Sequence, residues 1–211
     1  MNQYKDKHIG ETCFVIGNGP SLKDVHQSIF GYYPTFGTNR CYLRFIPDYY
    51  VAINPLVLAQ NIDDIAKLPC PKFVREEYAE KAGGFGLVST GRKVFSYNPR
   101  AYVYEGFTVT YVALQLAFYM GFEVVLLLGI DHRYEFEGKP NEKRVMQTDD
   151  PNHFDADYFK GQEWHNPDLE RSRQAYELAN ETYINHKRRI LNLTEDTALD
   201  VFEKDELRHW I

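Results

Sequence analysis

Residues 12–22 read Thr12-Cys13-Phe14-Val15-Ile16-Gly17-Asn18-Gly19-Pro20-Ser21-Leu22. A short apolar, β-branched run stops at a Gly-Asn-Gly-Pro turn. Such a run bounded by turn residues marks a buried strand. The turn is expected to open a helix over Lys23 to Phe30, with Ser21 able to cap it and Pro20 fitted to its first turn. Further units of this kind follow. Pro34 to Asn39 leads a second strand. Tyr49 to Ile53 is a third, ending at Asn54-Pro55, and Leu56 to Ala66 has helical spacing. Phe73 to Arg75 and Lys93 to Tyr97 are weaker strand candidates.

The stretch from Val109 to Ile130 carries one charge, Glu123. It is long enough to span a membrane, but Gly121 breaks it in the middle, and Gln115 and Glu123 would sit in lipid. A buried helix over Thr108 to Met120 followed by a buried strand over Val124 to Gly129 accounts for it better. From about 132 to 164 the chain turns polar, and a long segment of this kind inside a compact domain reads as a lid. A helix start follows, with Asn166 as cap, Pro167 in the first turn, and Asp168 and Glu170 facing the positive dipole end. Leu169, Tyr176 and Tyr183, with Ser172 and Ala179 between them, give that helix one packing stripe. Arg189 to Leu193 reads as a last strand. Strands alternating with helices imply an α/β fold with a mainly parallel sheet, as one domain over 1–211.

The composition fits. The chain has 211 residues, 44% apolar and 26% charged, which excludes a disordered, collagenous or coiled-coil chain. The net charge of −6 argues against a nucleic-acid-coating surface. Cys13, Cys41 and Cys70 form no CxxC pair and follow no apolar leader, so a reduced, cytoplasmic setting is expected. The 16 tyrosines suit either an aromatic core or a cleft for polar ring-shaped ligands.

Ligands of open parallel sheets bind outside the carboxyl ends of the strands. The polar residues there are Asn18, Asn39, Asn54 and Asp131. Gly17, Asn18, Gly19 and Ser21 form a turn whose bare backbone can receive a phosphate or ribose. It is neither GxGxxG, since Leu22 stands where glycine is needed, nor a Walker loop, and a merely tight turn would use the same residues. The amides of Asn39 and Asn54 suit a base edge or ribose hydroxyl, or equally a helix cap. His165 stands just ahead of the expected helix. The dipole there disfavours imidazolium, which suits a general base; a surface histidine packed as a staple would occupy the same place. His153, Asp155 and Asp157 would share one face if extended, three metal-capable side chains without a fixed fourth ligand.

The segments FVIGNGPSL, FGTNRCY, VAINP, FTVTYVALQLAFYMGFEVVLLLGID and HFDADYFKGQEWH, taken together, resemble the DUF115 group of bacterial surface-polysaccharide proteins. They also resemble the related family-42 sialyltransferases and the archaeal 6-hydroxymethylpterin diphosphokinases of the same superfamily. The resemblance covers about residues 12–200. It implies a Rossmann-like glycosyltransferase taking a CMP-activated sugar without a metal or other cofactor, and a glycan or lipid-glycan acceptor. Carried over, Asn18 contacts the nucleotide, Asn39 and Asn54 sit near the donor, and Asp131 anchors the floor. Tyr134 reaches the donor phosphate, and His165 is the base. The full donor-binding set is Gly17, Asn18, Gly19, Ser21, Asn39, Asn54, Thr108 and Asp131. The sialyltransferases carry an arginine before the central helix and Ser-Gly at its start. Here Gly106 and Val109-Thr110 stand in those places, and Phe136 or Tyr158 stands for a second tyrosine. These departures bear on the acidic sugar. The alternatives are a Mg-dependent diphosphokinase using ATP on a pterin-like alcohol, which needs clustered acids, and a non-catalytic nucleotide-sugar-binding module. Self-association of so aromatic a chain is a further expectation.

Overall fold

The computed structural model describes residues 1–211. Its strands are Thr12–Ile16 (β1), Thr35–Thr38 (β2), Tyr49–Ala52 (β3), Lys72–Arg75 (β4), Phe85–Leu87 (β5), Ser89–Thr90 (β6), Val103–Tyr104 (β7), Val124–Leu128 (β8), Lys143–Val145 (β9), Glu163–His165 (β10), Arg189–Asn192 (β11) and Glu203–Lys204 (β12). The helices are Pro55–Lys67 (α1), Ala79–Ala82 (α2), Val109–Met120 (α3) and Leu169–Asn185 (α4). Eight strands make one sheet in the order β12-β11-β8-β1-β2-β3-β4-β5. Every neighbouring pair is parallel. The fold is α/β and Rossmann-like, as the alternation of elements implied.

The two faces of the sheet follow from the period of two along each strand. Cys13 and Val15 of β1 join Val125 and Leu127 of β8 in the larger cluster, against α3 and α4. α3 is buried on nearly every side because it lies between the sheet and α4. Its one amide, Gln115, is fully buried and earns its place. Oε1 accepts from Ser96 N (3.0 Å) and Tyr104 N (3.2 Å), and Nε2 donates to Tyr104 O (2.8 Å) and Tyr111 O (3.2 Å). The apolar stretch from Val109 to Ile130 is thus α3, a left-handed cap at Gly121, and β8. No helix of the chain is long and apolar enough to cross a membrane.

On the other face Phe14, Ile16, Leu126 and Leu128 meet Leu22, Ile29 and four aromatics of the supposed lid: Phe154, Tyr158, Phe159 and Trp164. Burying each is worth about 1.5–3 kcal/mol, so the four together contribute about 6–12 kcal/mol. That approaches the whole stability of a domain. The segment packs over the sheet as a roof built around the antiparallel pair β9–β10.

Several expected elements differ. Lys23 to Phe30 is not an α-helix but two 3₁₀ turns, Pro20–Lys23 and Gln27–Gly31. Arg44 Nη2 donates to the carbonyls of Lys23 and Val25 at 3.1 and 2.9 Å, taking the acceptors a helix would use. Lys93 to Tyr97 forms no strand, since the Ser96 amide goes to Gln115 and the Val94 carbonyl to the Tyr111 hydroxyl. The last long helix starts at Leu169, two residues later than Pro167 suggested. Its cap is Asp168, which accepts from Arg171 N at 3.1 Å. Asn166 instead donates to Glu137 O (2.7 Å) and Lys139 O (3.0 Å), tying the roof to the helix entry.

Candidate active site

From β1 the chain steps outward through β2 to β5 on one flank of the sheet. It then returns by α3 to β8 on the other flank. The order reverses between β1 and β8, which is where ligands of open parallel sheets bind. A cleft of about 660 Å³ opens there, at the carboxyl ends of the strands and under the roof. Gly17, Asn18 and Gly19 line it after β1, Asn39 after β2 and Asn54 after β3. Thr108 lines it at α3, Asp131 and Tyr134 after β8, and His165 at the end of β10. Ser21 does not line it.

Ser21 acts from behind. Asp131 Oδ1 accepts from Ser21 N at 3.0 Å, and Oδ2 accepts from Ser21 Oγ at 2.7 Å. These bonds draw the β1 turn onto the β8 loop, and the contact explains the glycines. A Cβ on Gly19 would lie 1.8 Å from Asp131 Oδ2, and one on Gly17 would lie 2.4 Å from Gly129 O. Gly19 has φ −66, open to any residue, so it is glycine for room and not for backbone conformation. The 3₁₀ turn that follows is too short to present the helix N-terminus expected to receive a phosphate.

Asn18 Nδ2 donates to Thr38 O and Thr38 Oγ1, both at 3.0 Å. The carbonyl accepts only, so the orientation of the amide is fixed. Asn18 Oδ1 is then left buried without a partner, and so is Asn39 Oδ1. A buried unpaired acceptor costs about 1–3 kcal/mol, so each of these atoms calls for a donor from a water or a ligand. Asn39 adopts φ +49 at the end of β2. Asn54 is a helix cap, its Oδ1 accepting from Leu56 N at 2.9 Å. Thr108 caps α3, and its hydroxyl also meets Tyr176 Oη at 3.2 Å.

Tyr134 packs edge-on against His153, and burial pushes its phenol well above the usual range. The hydroxyl therefore stays protonated and available as a donor. His165 pairs with Lys143 across β9–β10, three residues ahead of the capping Asp168, and is not itself at the helix dipole. His153 does not share a metal-binding face with Asp155 and Asp157. It turns inward to stack on Tyr158 at 4.1 Å and to meet Asp150 at 2.8 Å. Asp155 Oδ1 accepts from Asp157 N, and Asp157 pairs with Lys160.

Among the cleft residues that were not expected is a second histidine. His132, with φ +52, follows Asp131 directly. Ser172 Oγ has one proton, donated to Leu169 O at 3.0 Å, so it accepts from His132 Nε2 at 3.2 Å. The neutral ring is therefore held as the Nε2–H tautomer, with Nδ1 as acceptor. Burial, followed by the nearby Arg173, lowers its pKa below 6.5. The only signal in the sequence is a histidine placed directly after the strand-end aspartate.

No protein-family model matches the chain, and no curated protein matches it in sequence. Among solved structures it is similar to the MAf glycosyltransferase from Magnetospirillum magneticum AMB-1, with TM-score 0.59 and 12% identity over 98% of this chain and 37% of that one. The chain thus spans little more than a third of that protein's length, and the likeness is one of fold. It is also similar to the sialyltransferase CstII from Campylobacter jejuni, whose structure is a complex with CMP. There the TM-score is 0.48 and the identity 16%, over 93% of this chain and 85% of that one.

Proposed function

We propose that the chain is a glycosyltransferase of surface-polysaccharide synthesis. It transfers a sugar from a nucleotide-activated, CMP-linked donor of the sialic-acid-like kind to a hydroxyl of a glycan or lipid-glycan. The observation that carries this reading is the pair of orphaned amide oxygens, Asn18 Oδ1 and Asn39 Oδ1, at the switch point of a parallel sheet. Two buried acceptors just after the ends of neighbouring strands suit the hydroxyls of a ribose or the exocyclic amine of a cytosine.

The chemistry asks for two groups. As the bond from the sugar's anomeric carbon to the phosphate oxygen breaks, that oxygen takes the electron pair, and the protonated Tyr134 hydroxyl donates to it. The acceptor hydroxyl oxygen forms the new bond to the anomeric carbon and gives its proton to a ring nitrogen of His165. Neither step requires a metal. The acids that the diphosphokinase alternative would gather for Mg²⁺ are dispersed: Asp150 meets His153, Asp149 and Asp157 pair with Lys160, and Asp131 holds Ser21. The arginine of the sialyltransferases has no room here. Gly106 has φ +61, and a Cβ on it would lie 2.6 Å from Tyr111 and 2.9 Å from Ala175. A sialic-acid-like donor would therefore be held without that contact.

A thermal-shift panel of CMP, CDP, UDP, GDP and ATP, each with EDTA or Mg²⁺, tests the reading. CMP at 100 times its dissociation constant should add about 2.7 kcal/mol of stability, and EDTA should not remove it. Turnover of a CMP-sugar should then fall about 10²- to 10⁴-fold in His165→Ala with CMP binding retained. Stabilisation by ATP with Mg²⁺ alone overturns the proposal, and binding without any turnover leaves a nucleotide-sugar-binding module.

A further inference from the structure

The cleft has a wall that the nucleotide turn and the roof do not supply. β6 and β7 form a parallel pair outside the main sheet, Ser89 facing Val103 and Thr90 facing Tyr104. From Tyr104 the chain passes through Glu105, Gly106 and Phe107 to Thr108, and Ser89, Thr90, Glu105 and Phe107 all line the cleft. Two features of this wall have no part in the reaction above. Glu105 Oε1 accepts from Arg75 Nη1 at 2.6 Å and also from the Ser89 hydroxyl, whereas Oε2 has no partner in the chain. The carboxylate is thus held at one oxygen and free at the other. Phe107 adopts φ +59, a strained backbone for a bulky side chain, and the residue is 41% exposed. Its one cation contact is the Arg171 guanidinium, 5.0 Å from the ring. The core gains little from an aromatic there, and strain of this kind is sustained at ligand sites.

An exposed aromatic ring beside a fixed carboxylate with one free oxygen has a chemical complement. A pyranose offers an apolar C–H face and a rim of hydroxyl donors. We propose that this wall seats the acceptor as a neutral sugar ring, its C–H face on Phe107 and a hydroxyl donated to Glu105 Oε2, with the Ser89 and Thr90 hydroxyls at the same wall. The proposal rests on the transferase reading for the word acceptor, and on this wall alone for the sugar. An anionic sugar is disfavoured because it would meet the Glu105 carboxylate.

The test is saturation-transfer NMR of lactose, maltose and N,N′-diacetylchitobiose with the full chain, in the presence of CMP. At least one disaccharide should receive saturation at its ring C–H protons. Phe107→Ala should weaken its binding about tenfold, and Phe107→Trp should preserve it. Glu105→Gln, which keeps an oxygen for Arg75 and Ser89, should weaken it several-fold. The CMP-induced thermal shift should be the same in all three variants. No saccharide binding, equal binding by wild type and Phe107→Ala, or a loss of CMP binding in Phe107→Ala would each overturn the proposal. Failure of CMP to stabilise the wild type would instead remove the transferase reading, leaving saccharide binding through Phe107 to stand or fall by the same variants.

Discussion

Replacing Gly19 by alanine tests how the cleft is built. The added Cβ would lie 1.8 Å from Asp131 Oδ2 and 2.9 Å from Gly129 O, so the aspartate must leave its place. Its bonds from Ser21 N and Ser21 Oγ are lost with it. Two hydrogen bonds to a partly solvated carboxylate, plus crowding against the backbone carbonyl, amount to about 3–5 kcal/mol. In a chain of this size that lowers Tm by roughly 6–20 °C. The informative assay is a double-mutant cycle in urea, followed by the fluorescence of Trp164 and Trp210. With Asp131→Ala already in place, the alanine at 19 has lost its main obstacle and should cost only about 1 kcal/mol, giving a coupling of about 2 kcal/mol or more. Costs that add within about 0.5 kcal/mol would refute the reasoning. Gly19 would then be required for something other than the approach of Asp131.

Other consequences can be measured directly. Burial holds the His132 pKa below 6.5, so the unfolded chain binds the proton first as pH falls; stability should drop below about pH 6.5, and His132→Asn should flatten that part of the pH profile. Histidine ¹⁵N spectra at pH 7 should show His132 neutral and protonated at Nε2, a pattern lost in Ser172→Ala. Tyr158 is fully buried and its hydroxyl accepts from Arg40 N at 3.0 Å, so Tyr158→Phe should cost about 1 kcal/mol and speed amide exchange in the roof. Gln115→Leu strands two amide N–H groups and a carbonyl in the core; chemical denaturation should show a loss of about 2–4 kcal/mol, more than Gln115→Glu at acid pH.

What was legible in the sequence follows its physics. β1, β3, α3 and β8 are apolar on both sides, so their runs are continuous and their ends are cut by Gly or Asn-Pro. β5 and β12 are short edge strands, and β12 is only Glu203 and Lys204, with no pattern to read. β9 carries Lys143 and Arg144 and was hidden by its charge. The polar composition of the roof masks Phe154, Tyr158, Phe159 and Trp164, which cover this face of the sheet together with Leu22 and Ile29. At the site, the rule that strand ends hold the chemistry placed Asn18, Asn39, Asn54 and Asp131 in one cleft. It did not tell a cap from a ligand group. Asn54 Oδ1 caps α1 while the residue lines the cleft, Ser21 bonds Asp131 from behind, and Asn166 ties the roof. Eight of the 16 tyrosines are buried, and three, Tyr104, Tyr134 and the buried Tyr176, line the cleft.

The floor of the cleft is also held from far along the chain. Ile130 N donates to Thr194 Oγ1 at 3.0 Å, Thr197 Oγ1 donates to Ile130 O at 2.7 Å, and Ala198 N donates to Asp131 O at 2.9 Å. Residues 194–198 thus lock the loop that faces a turn far earlier in the sequence, at Gly17 to Ser21. A nascent chain halted before Thr194 has β1 and β8 available to pair but lacks the bonds that fix Gly129 to Asp131. The turn after β1 stays uncommitted until residues 194–198 have been synthesised, and the cleft in ribosome-bound chains of increasing length should form only once those residues are free to fold.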